Sequence, residues 1–158
     1  VCWLISSVIV KPVMPLHLLK LCVGCDSIAD LEDWIALSMT NRQRQGMPFE
    51  QTHTTRMVPK RGDELVDGGS LYWVIKGQVS CRQVILSIRP FTDMQGIGRC
   101  HIILEPVVIP VMPRPHRAFQ GWRYLQDHEK PQDLGHGSVS MQAMPEELRR
   151  DLAQLGLL

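Results

Sequence analysis

The 158-residue sequence predicts an α+β fold: a curled, mostly antiparallel sheet or small β-barrel, with one helix packed near its N-terminus and another as a C-terminal tail. Two patterns lead there. One strand-like segment is followed by one strongly helical segment, and then five or so strand-like segments follow through short connections. Strands and helices therefore do not alternate as a doubly wound parallel sheet requires. The chain has 44% hydrophobic residues and no Gly or Pro period, which excludes a collagen, a coiled coil and a wholly disordered chain. At this length a chain buries roughly 70% of its unfolded surface, enough for a core without disulfides or metals.

The first ten residues, VCWLISSVIV, are apolar but end at Lys11 and Pro12, too short for the ~20 residues a membrane helix needs. They also lack the positive flank of a secretory signal. Met14 is the expected start, with residues 1–13 an extension or start-site artefact. A single domain is expected over 14–125, a mobile linker over 126–144 and a terminal helix over 145–158.

Within the domain, PLHLLKLCV reads as a strand ending at Gly24. Ser27 is the expected N-cap of a helix to about Gln45, with Ile28, Leu31, Trp34 and Ile35 at helical spacing and Trp34 expected in the core. Thr52–Val58 alternates as a short strand, and residues 59–69 form a turn or single helical turn broken at Asp67-Gly68-Gly69. Ser70–Lys76 is the clearest strand, and Val79–Ile88 its antiparallel partner, because the connection is too short for a crossover. Residues 90–98 read as a loop and 99–111 as one long strand interrupted at Pro106, where a proline implies an edge, a bulge or a bend. Ala118–Leu125 is a last strand or aromatic turn. Pro145 then starts a helix with Leu148, Leu152 and Leu155 on one face.

The overall charge is +1, but it is unevenly spread: residues 56–123 hold ten Lys+Arg and five Asp+Glu, an excess of +5. Aromatics interleave with those cations, the combination single-stranded nucleic-acid grooves use, where cations track phosphates and rings stack on bases. The candidate nucleic-acid or anion-binding residues are Arg56, Lys60, Arg61, Tyr72, Trp73, Lys76, Arg117, Trp122, Arg123 and Tyr124. The plainer alternative is a solvated basic face over an aromatic core. RNA or a nucleotide is the expected partner, no membrane is expected, and no cofactor is called for.

Five scattered cysteines favour a reducing, cytoplasmic location over a disulfide framework. Cys22-Val-Gly-Cys25 is the one tight pair, placed between strand and helix, where a helix N-terminus can lower a thiol pKa. It is a candidate redox pair; a zinc site would want a second such pair, and two incidental core thiols remain the plain alternative. The six histidines form no metal-binding spacing, and no nucleophile elbow or phosphate loop is present, so no catalytic or metal residue is assigned. A small enzyme acting on a nucleotide or other anionic metabolite in the same cleft is the alternative function, and a thiol redox or interaction protein the third.

The stretches LHLLKLCVGCDSIADLEDWI, HTTRMVPKRGDELVDGGSLYWVIKG, RQVILSIRPF, LEPVVIPVMPRPHRAFQGWRYL and ELRRDLAQLGLL resemble a mainly proteobacterial family known only as a domain of unknown function. That resemblance covers about residues 14–158 and implies identity without a catalytic residue. A second resemblance, in order of elements only, is to PUA-like barrels of the ASCH and EVE types. It implies an RNA- or base-binding cleft with Lys60 and Arg61 at the rim, Tyr72 and Trp73 on the first barrel strand, and Trp122 with Tyr124 on the other wall.

Overall fold

The computed structural model describes residues 14–134 and 144–157. The expectations for residues 1–13, and for the part of the linker between 135 and 143, lie outside the described residues. In chain order the elements are β1 (Leu16–Leu21), α1 (Ile28–Arg44), β2 (Gln51–Thr55), α2 (Gly62–Val66), β3 (Ser70–Ile75), β4 (Gln78–Thr92), β5 (Gly98–Leu104), β6 (Ile109–Pro115), β7 (Trp122–Gln126), a 3-10 turn (Asp127–Glu129) and α3 (Glu146–Gln154).

These strands form one seven-stranded mixed sheet in the order β2-β5-β4-β3-β1-β7, with β6 also paired to β4. All neighbours are antiparallel except β1 and β3. β4 is the spine. Its first half pairs β6, its second half pairs β5, and a register shift between Ile85 and Ser87 marks the change of direction. Leu86, the extra residue there, is exposed. The break between β5 and β6, at Glu105–Val108, lies opposite this bulge, so the expected proline interruption is a bend in what runs as one strand against β4. Bulges increase local twist, and together these two features curl the sheet. It does not close into a barrel: among the described residues, β2 and β7 remain unpaired edges. The segment expected as a loop at 90–98 is partly strand, since β4 runs on to Thr92 before its hairpin with β5.

The α1 helix starts where Ser27 Oγ accepts the Asp30 N–H at 3.1 Å, leaving that backbone group satisfied at the helix start. It buries Ile28, Leu31, Ile35 and Met39 against Leu16, Leu18, Leu71, Trp73 and Ile75 on the concave face of the sheet. Trp34, expected in that core, is 47% exposed. On the convex face Leu19, Tyr72, Val74 and Val79 pack with Val111, Phe119 and Leu125.

Residues 127–134, the first part of the expected linker, pack back on the domain: Leu134 is buried, Asp133 bridges to Val111, and its carboxylate accepts from Arg82 Nε and Nη2 at 2.8 Å each. In α3 the buried residues are Arg149 and Ala153, while Leu148 and Leu155 are exposed. Polar contacts dock that helix. The Glu146 carboxylate accepts the Ile28 N–H at the start of α1 at 2.9 and 3.0 Å, and Arg150 donates to the Asp26 carbonyl at 2.9 Å.

Candidate functional site

Strand alternation decides which predicted residues can meet. Tyr72 and Trp73 are neighbours on β3, so they face opposite sides of the sheet. Both are buried, at 1% and 4% exposure. Tyr72 lies on the convex side, edge-on to the His17 ring, and is not available for stacking. Trp73 lies on the concave side with its Nε1 donating to Gln83 Oε1 at 2.9 Å.

The predicted cations do not converge on one groove. Arg61 is held by Glu64 through two contacts of 2.5 and 2.8 Å, and its backbone N–H donates to the Tyr124 hydroxyl at 3.2 Å. Trp122 stands edge-on to Tyr124 and donates from Nε1 to the Met57 carbonyl at 3.0 Å. These contacts bring Arg61, Trp122 and Tyr124 to one rim, where the segment after β2 reaches toward β7, while Arg56 is exposed just before Met57. Lys60 is exposed in a separate shallow groove with Asp63 and Ile88. Lys76 sits exposed at the β3–β4 turn with a φ of 48°, beside Gly77 at 76°, the left-handed pair a two-residue hairpin turn uses. Arg117 is exposed elsewhere, and Arg123 lies on the convex side over the Phe119 ring at 5.2 Å. Arg61, Arg82, Arg89 and Arg99, four of the ten cations in the basic stretch, are neutralised by Glu64, Asp133, Glu50 and Asp93.

The sheet's curl instead builds a cleft of about 670 Å³ on the concave side, between the end of β1, the start of α1, β2 and β3. That is within the size range of small-molecule sites. Lys20, Cys22, Cys25, Asp30, Asp33, Trp34, His53 and Trp73 line it. Each is placed by a simple rule. Leu16, Leu18 and Lys20 alternate inward along β1, so the lysine continues a row of core leucines. His53 points inward from β2 and meets Trp73 edge-on, with ring centroids 5.2 Å apart.

Among the described residues, His53 Nε2 and the Lys20 ammonium in this cleft make no hydrogen bond. His53 Nε2 is buried without a hydrogen bond, and desolvation, helped by the Lys20 charge, pushes the ring pKa down to about 4. It is neutral at pH 7. Lys20 is half-buried, makes no hydrogen bond or ion pair among the described residues, and burial lowers its pKa. Burial, helped by the neighbouring Cys25, pushes the Cys22 thiol up, the opposite of the depression expected from a helix start. Among the described residues no three His, Cys, Asp or Glu side chains gather where a metal could be held.

Lys20, Trp34 and His53 escaped the sequence reading as site residues. Lys20 carried a signal, being the one cation at an inward position of an apolar strand. His53 carried none, because only the pairing of β2 with β5 aims it at Trp73.

A second polar cluster lies on the convex side. His17 Nε2 donates to Asp127 at 2.8 Å, its Nδ1 accepts the Ser70 N–H at 3.0 Å, and Arg82 joins Ser70 and Asp133. Its charged groups are mutually satisfied, which marks it as the tie that holds the chain after β7 to the sheet.

The architecture is thus a small α+β domain whose open, curled sheet holds a cleft beside the start of α1. A family model described as protein of unknown function (DUF1489) matches residues 18–158, and the chain belongs to that family. No match was found among curated proteins or among solved structures. No helix among the described residues is long and apolar enough to cross a membrane.

Proposed function

We propose that this domain binds RNA or a nucleotide by taking one base into the concave cleft. What supports the reading is the pair of unpartnered groups, His53 Nε2 and Lys20, set beside the indoles of Trp34 and Trp73 in one cavity. An unsatisfied buried polar atom costs about 1–3 kcal/mol, and a ligand offering an acceptor to Lys20 and a partner to His53 recovers it. A nucleobase carries carbonyl and ring-nitrogen atoms on its edge and a flat face for the half-exposed Trp34. Asp30 and Asp33, which line the cleft, disfavour a phosphate inside it, so phosphates belong outside.

The test is titration of the full chain with nucleosides, nucleoside monophosphates and short single-stranded RNA, followed by indole fluorescence at ~50 and ~200 mM salt. Free nucleoside competes with RNA if the base is the bound group. Lys20→Met weakens binding ~10- to 100-fold, the equivalent of a charged hydrogen bond. Trp34→Ala weakens it while leaving the fold intact, because the ring is already half in solvent. No binding of any of these ligands at the lower salt refutes the proposal.

A further inference from the structure

We infer that Cys22 and Cys25 form an exchanging dithiol: a low-molecular-weight disulfide entering the concave cleft oxidises the pair to an intramolecular Cys22–Cys25 disulfide. Four observations carry this. The two cysteines stand at the ends of a two-residue turn, whose Gly24 has a φ of +85° that a side chain would strain. Residues at the ends of such a turn have Cα atoms within ~7 Å, the separation a disulfide can span. Both sulfurs line a cleft open to small molecules, whereas Cys81 and Cys100 are buried at 0% exposure.

The backbone on either side is also fixed. The Cys22 N–H donates to the Val74 carbonyl at 2.9 Å. After Cys25, Arg150 holds the Asp26 carbonyl, Ser27 caps α1, and Glu146 takes the Ile28 N–H. Two thiols held together by rigid neighbours have a high effective concentration for each other, so a mixed disulfide on one is captured by the other.

The exchange balances without a further reactant. Cys25 as thiolate attacks one sulfur of the disulfide RSSR, forming Cys25–S–S–R and releasing RS⁻, which takes a proton to become RSH. Cys22, held as the thiol by its burial, then gives up its proton and attacks the Cys25 sulfur, displacing the second RS⁻. Two protein thiols lose two electrons, and one disulfide becomes two RSH.

The experiment uses the full chain, reduced, freed of reductant and exposed to oxidised glutathione under native conditions, then acid-quenched, alkylated and mapped by peptide mass. The expected result in the wild type is a peptide spanning Cys22 and Cys25 that is lighter by two hydrogens and takes no alkylating reagent. Cys22→Ser removes the second step and accumulates a glutathione adduct on Cys25. Cys25→Ser leaves Cys22 alkylatable and largely without adduct. The idea is overturned if both wild-type thiols stay fully alkylatable under strongly oxidising glutathione ratios. An adduct confined to Cys2, or a Cys22→Ser chain with native circular dichroism and no Cys25 adduct, overturns it equally. The wild-type mass shift stands independently of whether either variant folds, and no nucleotide enters the assay.

Discussion

Replacing Gln83 by leucine removes the polar knot that holds the curled sheet together beneath the cleft. Gln83 and Gln51 are both fully buried, one on β4 and one on β2, strands that are not themselves neighbours. Gln83 Oε1 accepts from Trp73 Nε1 at 2.9 Å and from Gln51 Nε2 at 3.3 Å, and its Nε2 donates to Gln51 Oε1 at 2.6 Å and to the Glu105 carbonyl at 3.0 Å. Leucine has a similar volume, so Gln83→Leu opens little cavity. It strands the Trp73 N–H, the Gln51 amide and the Glu105 carbonyl. At about 1–3 kcal/mol for each buried unsatisfied group, the lower end of the range alone sums to about 3 kcal/mol. That is a large share of the ~5–15 kcal/mol by which a domain of this kind is stable. The decisive comparison is the double variant Gln51→Leu/Gln83→Leu. Removing both amides together leaves only the Trp73 and Glu105 groups unsatisfied, so the double variant is more stable than Gln83→Leu alone by about 1–2 kcal/mol. Urea unfolding monitored by far-UV circular dichroism reads both values. A Gln83→Leu cost under about 0.5 kcal/mol, or a double variant as unstable as the sum of the singles, refutes the argument that the knot is a coupled, fully desolvated unit.

Stability falls as pH drops from about 6.5 toward 4. His17 and His53 both titrate below their ordinary value in the folded chain, so the unfolded chain takes up protons first over that window. For His53, a drop from 6.5 to about 4 corresponds to at most about 3 kcal/mol, and His53→Gln flattens the urea midpoint across this range without abolishing the His17 share. Gly69→Ala is expected to prevent folding: a Cβ there would stand 2.2 Å from the Leu65 carbonyl oxygen and 2.3 Å from that of Leu16, two backbone atoms that cannot retreat. Gly96→Ala, with open space and a φ of +78°, serves as the comparison and costs only about 1 kcal/mol of backbone strain; soluble yield and circular dichroism separate the two. Glu146→Gln removes a negative charge from the N-terminus of α1 and costs about 0.5–1 kcal/mol in the same urea assay, falling off at high salt.

Local pattern carried the elements whose partners are close in sequence. The Ser27 cap, the apolar spacing of α1 and the short antiparallel connection after Ser70–Lys76 all sit where residues within a few positions of one another decide the backbone. The same reading placed Trp34 in the core and Leu148, Leu152 and Leu155 on one face of α3, yet Trp34, Leu148 and Leu155 are exposed. Periodicity orients a side chain relative to its own helix, whereas burial depends on what stands opposite. Opposite Trp34 the curled sheet leaves a cleft, and α3 docks through Glu146 and Arg150 rather than through its leucines. For the site, one error was avoidable from the sequence: adjacent residues of a strand face apart, so Tyr72 and Trp73 could never have lined one cleft, while the inward lysine of LHLLKL was a signal in plain view. His53 was beyond local reach. It meets Trp73 only because β2 joins β5, β5 joins the far half of β4, and β4 bends at Leu86 against the break at Glu105–Val108. Pro106 marks that break in the sequence, but the bend depends on β4 answering it with a bulge some twenty residues earlier. The cleft is therefore a property of the curl, and a substitution that straightens β4 at Leu86 would separate His53 from Trp73 without touching either residue.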